Sequence, residues 1–100
     1  MLTDPAKPEN LNFGAATSKS IEFCWEKPIG KVDKYEIEYY PDGETARLQR
    51  FEKNATADTK HELYGLESGT SYDIYVRAMV GNLRSSMIHG FDITREYKLT

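Results

Sequence analysis

Apolar and polar side chains alternate with a period of two along most of this chain. In residues 20–26, Ile21, Phe23 and Trp25 fall on one face and Glu22, Cys24 and Glu26 on the other, which predicts a half-buried strand. Residues 32–40 repeat the pattern. Tyr35, Ile37 and Tyr39 form a predicted core face, while Lys34, Glu36, Glu38 and Tyr40 form a solvent face. In residues 71–79, Tyr72, Ile74, Val76 and Ala78 point inward. Further strands are predicted at 11–17, 45–51, 60–66 and 86–95. In the 45–51 segment Leu48 and Phe51 have opposite parity, which predicts an irregular edge strand. Gly90 predicts a bulge in the last strand. Between these runs lie a loop at Pro28, Gly30 and Lys31, a Pro41-Asp42-Gly43 turn, a polar loop at 54–59 and a loop at 81–85. No helical periodicity and no internal repeat is present. Seven short strands at this spacing predict an all-β fold, a seven-stranded antiparallel β-sandwich.

Composition narrows the class. One hundred residues make one domain, large enough for a core without metals or disulfides. Seven tyrosines against one tryptophan suit half-buried pleated surfaces. The net charge of -3 and the scattered bases Lys34, Arg47, Arg50, Arg77 and Arg84 argue against nucleic acid or an anionic membrane as partner. A single cysteine, Cys24, excludes an intrachain disulfide and leaves the compartment open. No apolar stretch is long enough to span a bilayer, and the N-terminus lacks a signal-peptide pattern. Pro5 and Pro8 hold the first residues extended. Met1 and the polar run after it read as the start of an excised module, with a linker at 1–7, a domain at 8–96 and a C-terminal linker at 97–100.

Candidate chemistry is sparse. Glu36 and Glu38 share a strand face, roughly 7 Å apart by strand rise, a spacing found in carboxylate pairs that hydrolyse glycosides. Such a pair also needs a cleft that drives the two pKa values apart, and an open sheet face predicts a solvated surface instead, paired with Arg77. His61 and His89 lack partners at metal-ligand spacing and read as surface or edge residues. No nucleophile elbow or Gly-rich phosphate loop occurs. Cys24 reads as a small residue on the outer sheet face, the alternatives being a bond to another chain or a redox handle. Asn54-Ala55-Thr56 is a glycosylation sequon in a predicted exposed loop. No catalytic residue, cofactor or metal is expected.

The chain resembles a fibronectin type III domain over positions 8–96. Three motifs carry the resemblance: Ser20-Ile21-Glu22-Phe23-Cys24-Trp25-Glu26-Lys27-Pro28, then Val32-Asp33-Lys34-Tyr35-Glu36-Ile37-Glu38-Tyr39, and Leu63-Tyr64-Gly65-Leu66-Glu67-Ser68-Gly69-Thr70-Ser71-Tyr72. Each is loose alone; in this order and spacing they are specific. An immunoglobulin domain would show cysteines flanking a tryptophan, which one cysteine rules out. Within the family, Tyr35 to Gly43 and the short loop after the sixth strand resemble modules of tenascin-type matrix proteins and, similarly, of receptor phosphatase ectodomains.

The resemblance implies a core of Trp25, Tyr35, Ile37, Leu66, Tyr72, Ile74 and Val76. Tyr72 fits a tyrosine corner whose hydroxyl returns to backbone near Leu66. It also implies a non-catalytic adhesion, interaction and spacer module of a larger extracellular matrix or cell-surface protein, monomeric when isolated. Protein partners and neighbouring domains of the same chain are expected, with no nucleic acid and no membrane insertion. The alternatives are a structural module of an intracellular filament protein and an accessory module of a larger enzyme or receptor. The loop after the sixth strand contains no Arg-Gly-Asp tripeptide. Partner contacts are expected either at that loop, through Asn82, Leu83 and Arg84, or on the exposed face carrying Tyr40, Tyr75 and Arg77 with Glu36 and Glu38.

Overall fold

The alternating segments pair into two antiparallel sheets, seen in a computed structural model that describes residues 5–56 and 58–96. The smaller sheet has the order β1-β2-β5, built from β1 (Glu9–Ala16), β2 (Ile21–Glu26) and β5 (Lys60–Leu63). The larger contains β3 (Lys34–Pro41), β4 (Gln49–Asn54), β6 (Ser71–Val80), β7 (Leu83–Arg84) and β8 (Ile88–Ile93). Its order is β4-β3-β6-β7, and β8 also pairs with β6.

The inward parity of each strand makes the core. Ile21, Phe23 and Trp25 from the smaller sheet meet Tyr35, Ile37, Tyr72, Ile74 and Val76 from the larger, all at most 3% exposed. Each large side chain removed from water contributes about 1.5–3 kcal/mol. Trp25 packs edge-on against Tyr35, with ring centroids 5.2 Å apart at 68°, a favoured aromatic geometry.

The segment between β5 and β6 turns the chain from one sheet to the other. Gly65 and Gly69 take φ of 71° and 58°, which a Cβ would strain. Buried Leu66 plugs the corner. The Tyr72 hydroxyl accepts the Glu67 N–H at 2.9 Å. Buried Thr94 ties down the rest: its hydroxyl donates to the Glu67 carbonyl at 2.6 Å and accepts the Thr70 N–H at 2.9 Å.

The structure corrects several expectations. Eight strands are present among the described residues rather than seven, because the 81–85 loop contains β7, which pairs Leu83 with Val80 and Arg84 with Met79. The predicted strand at 45–51 divides into a 3₁₀ turn, Thr45–Arg47, and the edge strand β4, which continues to Asn54. Asn54 therefore closes a strand instead of opening a loop. Gly90 is no bulge: β8 stays in continuous register with β6 from Ile88↔Val76 to Ile93↔Ser71. Its lack of a side chain admits β1, since a Cβ there would lie 2.8 Å from the Phe13 ring and 3.0 Å from Leu11.

Chain entry and exit lie at opposite ends of the smaller sheet. Glu9 pairs with Glu26 at one end of β1, whereas the Arg95 N–H donates to the Thr17 carbonyl just past the other end. At about 3.3 Å per residue these ends are roughly 25 Å apart. Of the linkers expected at 1–7 and 97–100, residues 1–4 and 97–100 lie outside the described residues.

Candidate functional site

The outer face of the larger sheet gathers most of the candidate residues, and its two ends differ in chemistry. Register places the β4 residues Arg50 and Glu52 opposite Glu38 and Glu36 on β3, and Arg77 and Tyr75 on β6 on their other side. The cations of these rows are matched by acids. Arg50 Nε donates to Glu38 Oε2 at 2.9 Å, Lys34 Nζ to Glu52 Oε1 at 3.0 Å, and Arg77 Nε lies 3.3 Å from Glu36 Oε1.

Glu36 was expected in solvent and is buried, 3% exposed, because Arg77 and the flanking strands cover it. The Arg77 Nε contact is an ion pair without hydrogen-bond geometry. Glu36 and Glu38 thus each face their own guanidinium and do not form a shared acid–base site.

At the other end the face is aromatic. The Tyr40 and Tyr75 rings stack at 5.8 Å and 29°, with their hydroxyls 2.8 Å apart. That hydrogen bond, aided by desolvation, pushes the Tyr75 phenol up to about 12. His89 stacks on the far side of Tyr75 at 4.4 Å and 13°, and its Nε2 meets Asp73 Oδ1 at 2.8 Å. Phe91, opposite Asp73, and Ile93, opposite Ser71, extend this surface and remain 62% and 53% exposed. Neither was singled out from the sequence. The available signal was parity: Ile88 falls on even positions with Gly90, whereas Phe91 and Ile93 are odd, so their apolar side chains cannot share the core face.

The remaining candidates are dispersed. Asn82 is exposed at the hairpin tip after Gly81, while Leu83 and Arg84 belong to β7 and not to a free loop. The tip is tethered, since the Gly81 N–H donates to Asp33 Oδ2 at 2.8 Å. Asn54 is exposed on the outer face, opposite Lys34. Cys24 is half-buried on the outer face of the smaller sheet, opposite Asn12 and Lys60.

His61 lies on the edge strand β5, within the expected surface or edge setting, but its ring turns inward. It shares the inner face with Phe23 and packs 4.6 Å from the Phe51 ring, bridging the sheets. Burial holds its imidazole below the ordinary value; Lys53 adds to this and Asp58 opposes it. Among the described residues no group of three or more His, Cys, Asp or Glu could hold a metal ion, and no helix is long and apolar enough to cross a membrane.

Two packed antiparallel sheets, the tryptophan of β2 and the tyrosine corner define a class of β-sandwich, and comparison with known proteins places the chain within it. The family model of the fibronectin type III domain matches residues 6–91. The chain belongs to the fibronectin type III family. It is 36% identical over 76 residues to receptor-type tyrosine-protein phosphatase F of Bos taurus, an alignment covering 71% of this chain and 4% of that protein. It is 32% identical over 84 residues to tenascin of Mus musculus, covering 83% of this chain and 4% of that protein. Among solved structures, a segment of two fibronectin type III domains from chicken tenascin superposes with a TM-score of 0.80 at 25% identity, covering 88% of this chain and 49% of that one. The chain therefore spans a small part of the curated relatives it matches.

Proposed function

We propose that this chain is a non-catalytic adhesion and spacer module of a larger extracellular matrix or cell-surface protein. In this reading it contacts protein partners through the aromatic end of its larger sheet. The observation that carries the proposal is the surface formed by Phe91 and Ile93, both more than half exposed, beside the Tyr40–Tyr75–His89 stack. Exposed apolar and aromatic side chains grouped on one face are the composition of protein-contact centres, and ion pairs beyond them resemble a polar rim. The membership of a family found in tenascin and in a receptor-type phosphatase supports the extracellular location. Entry and exit at opposite ends of β1 support the spacer role, because successive modules would then extend in line. Neighbouring domains of the same chain would abut at those ends, leaving the sheet face free for other proteins, and the isolated module acts as a monomer.

Cell adhesion to surfaces coated with the chain tests this. Phe91→Asp should abolish adhesion, since it places a charge where an apolar contact is made. Leu83→Ala and Arg84→Ala, on β7, should leave it intact. Adhesion that survives Phe91→Asp and disappears with Arg84→Ala would move the contact to the β6–β7 hairpin.

A further inference from the structure

Asn54 lies where two independent features coincide: the sequon Asn54-Ala55-Thr56 and the end of the ion-paired half of the outer face. The side chain is exposed and forms a tight turn with its own sequon. Its Oδ1 accepts both the Thr56 N–H and the Thr56 hydroxyl, each at 2.9 Å. A backbone N–H only donates, which fixes the acceptor as the amide oxygen. Neither bond engages Nδ2, the atom that glycosylation modifies. Ala55 anchors the turn: its N–H donates to the Asp33 carbonyl at 3.1 Å, and its side chain packs against the core. Asn54 and Thr56 are thus displayed to solvent by a backbone fixed from beneath.

We propose that Asn54 carries an N-linked oligosaccharide, and that this glycan covers the Lys34–Glu52 end of the outer face and confines protein contacts to the aromatic end. The first part rests on the extracellular reading above. In the transfer step Nδ2 bonds to the anomeric carbon of an oligosaccharide carried on a polyprenyl diphosphate. The bond from that carbon to the diphosphate oxygen breaks, the lipid diphosphate departs with the electron pair, and Nδ2 gives up one proton. The second part follows from register. Asn54 sits opposite Lys34, whereas Tyr40 lies six residues further along β3 and pairs with Asp73, the neighbour of Phe91. The glycan root and the aromatic end are therefore about 20 Å apart along the sheet. A bulky hydrated group at one end shields Lys34 and Glu52 and leaves Tyr75, His89 and Phe91 open.

The chain is expressed behind an added signal peptide in mammalian cells, which separates use of the sequon from the natural location of the parent protein. The secreted chain should show an oligosaccharide mass on the Asn54 peptide, removed by peptide-N-glycosidase with conversion of Asn54 to Asp. Asn54→Gln and Thr56→Ala should abolish it, and Thr56→Ser should retain it. A secreted, folded chain with unmodified Asn54 overturns the site whatever the location of the parent. Surface staining of unpermeabilised cells that make the parent protein tests location alone. Hydroxyl-radical footprinting then compares the glycosylated and enzymatically deglycosylated chains. Reactivity at Lys34 and Glu52 should rise at least twofold on deglycosylation while Tyr75 and Phe91 stay unchanged. Equal changes at both ends would overturn the confinement.

Discussion

Single side chains decide how the corner and the outer face are held. Tyr72→Phe removes the hydroxyl that receives the Glu67 N–H and should destabilise the domain by about 1–3 kcal/mol, the cost of leaving a part-buried donor unpaired. Urea unfolding measures it, and a change within about 0.5 kcal/mol would show that solvent satisfies the corner. Arg77→Met strands Glu36 without its cation. Because Arg77 itself is 22% exposed, the expected loss is about 2–3 kcal/mol, below that of a fully enclosed pair. The double variant Glu36→Gln/Arg77→Met should recover part of it.

His61 gives a pH dependence of definite sign. Its imidazole is held below the unfolded value near 6.5, so the unfolded chain binds the proton more readily. The stabilising contribution is complete above about pH 6.5 and is lost as pH falls through the lowered folded value. Unfolding midpoints should drop between pH 7.5 and 5, and His61→Phe should flatten that part of the profile. The inward tyrosines and isoleucines were legible from period two alone. The pairing of Glu36 with Arg77 was legible as well; the burial of Glu36 was not, because it depends on how closely Arg77 and the flanking strands cover the carboxylate, which alternation does not carry.

At the scale of elements, long strands were readable and short ones were not. β2, β3 and β6 each carry several alternations, enough to set both type and facing. β7 has two residues and no period; it forms because the hairpin at Gly81, φ 58°, returns the chain against β6. The 3₁₀ turn at Thr45–Arg47 accounts for the opposite parity of Leu48 and Phe51, since only the second lies in a strand. Gly90 stands out in the sequence as a glycine inside a strand, but it forms no bulge. Its role is the close approach of β8 to β1, where Phe13 would meet any Cβ. Gly90→Ala should therefore cost about 1–3 kcal/mol through displacement of Phe13, read from chemical unfolding. Gly90→Ala in a Phe13→Leu background should be milder, because the obstructing ring is gone.

For the whole molecule, a single inter-sheet core explains the fold, and the surface above it explains the proposed use. Trp25→Ala should cost about 3–5 kcal/mol, enough to threaten a domain of ordinary marginal stability; a loss under about 1 kcal/mol would displace Trp25 from the centre of the core. The fold was written in the chain by alternation, corner glycines and Tyr72. The aromatic end of the outer face was only half visible: Tyr40 and Tyr75 stood out by parity, whereas Phe91, Ile93 and His89 join them only through the pairing of β8 with β6.

Phe91 and Ile93 are proposed as a contact surface, which requires both to lie outside the core. Equilibrium urea unfolding of the Phe91→Ser/Ile93→Thr double variant tests it without knowledge of the partner. A contact surface predicts a stability within about 1 kcal/mol of the parent chain, as for exposed positions. A loss of about 3 kcal/mol or more, the signature of emptied core volume, would contradict it.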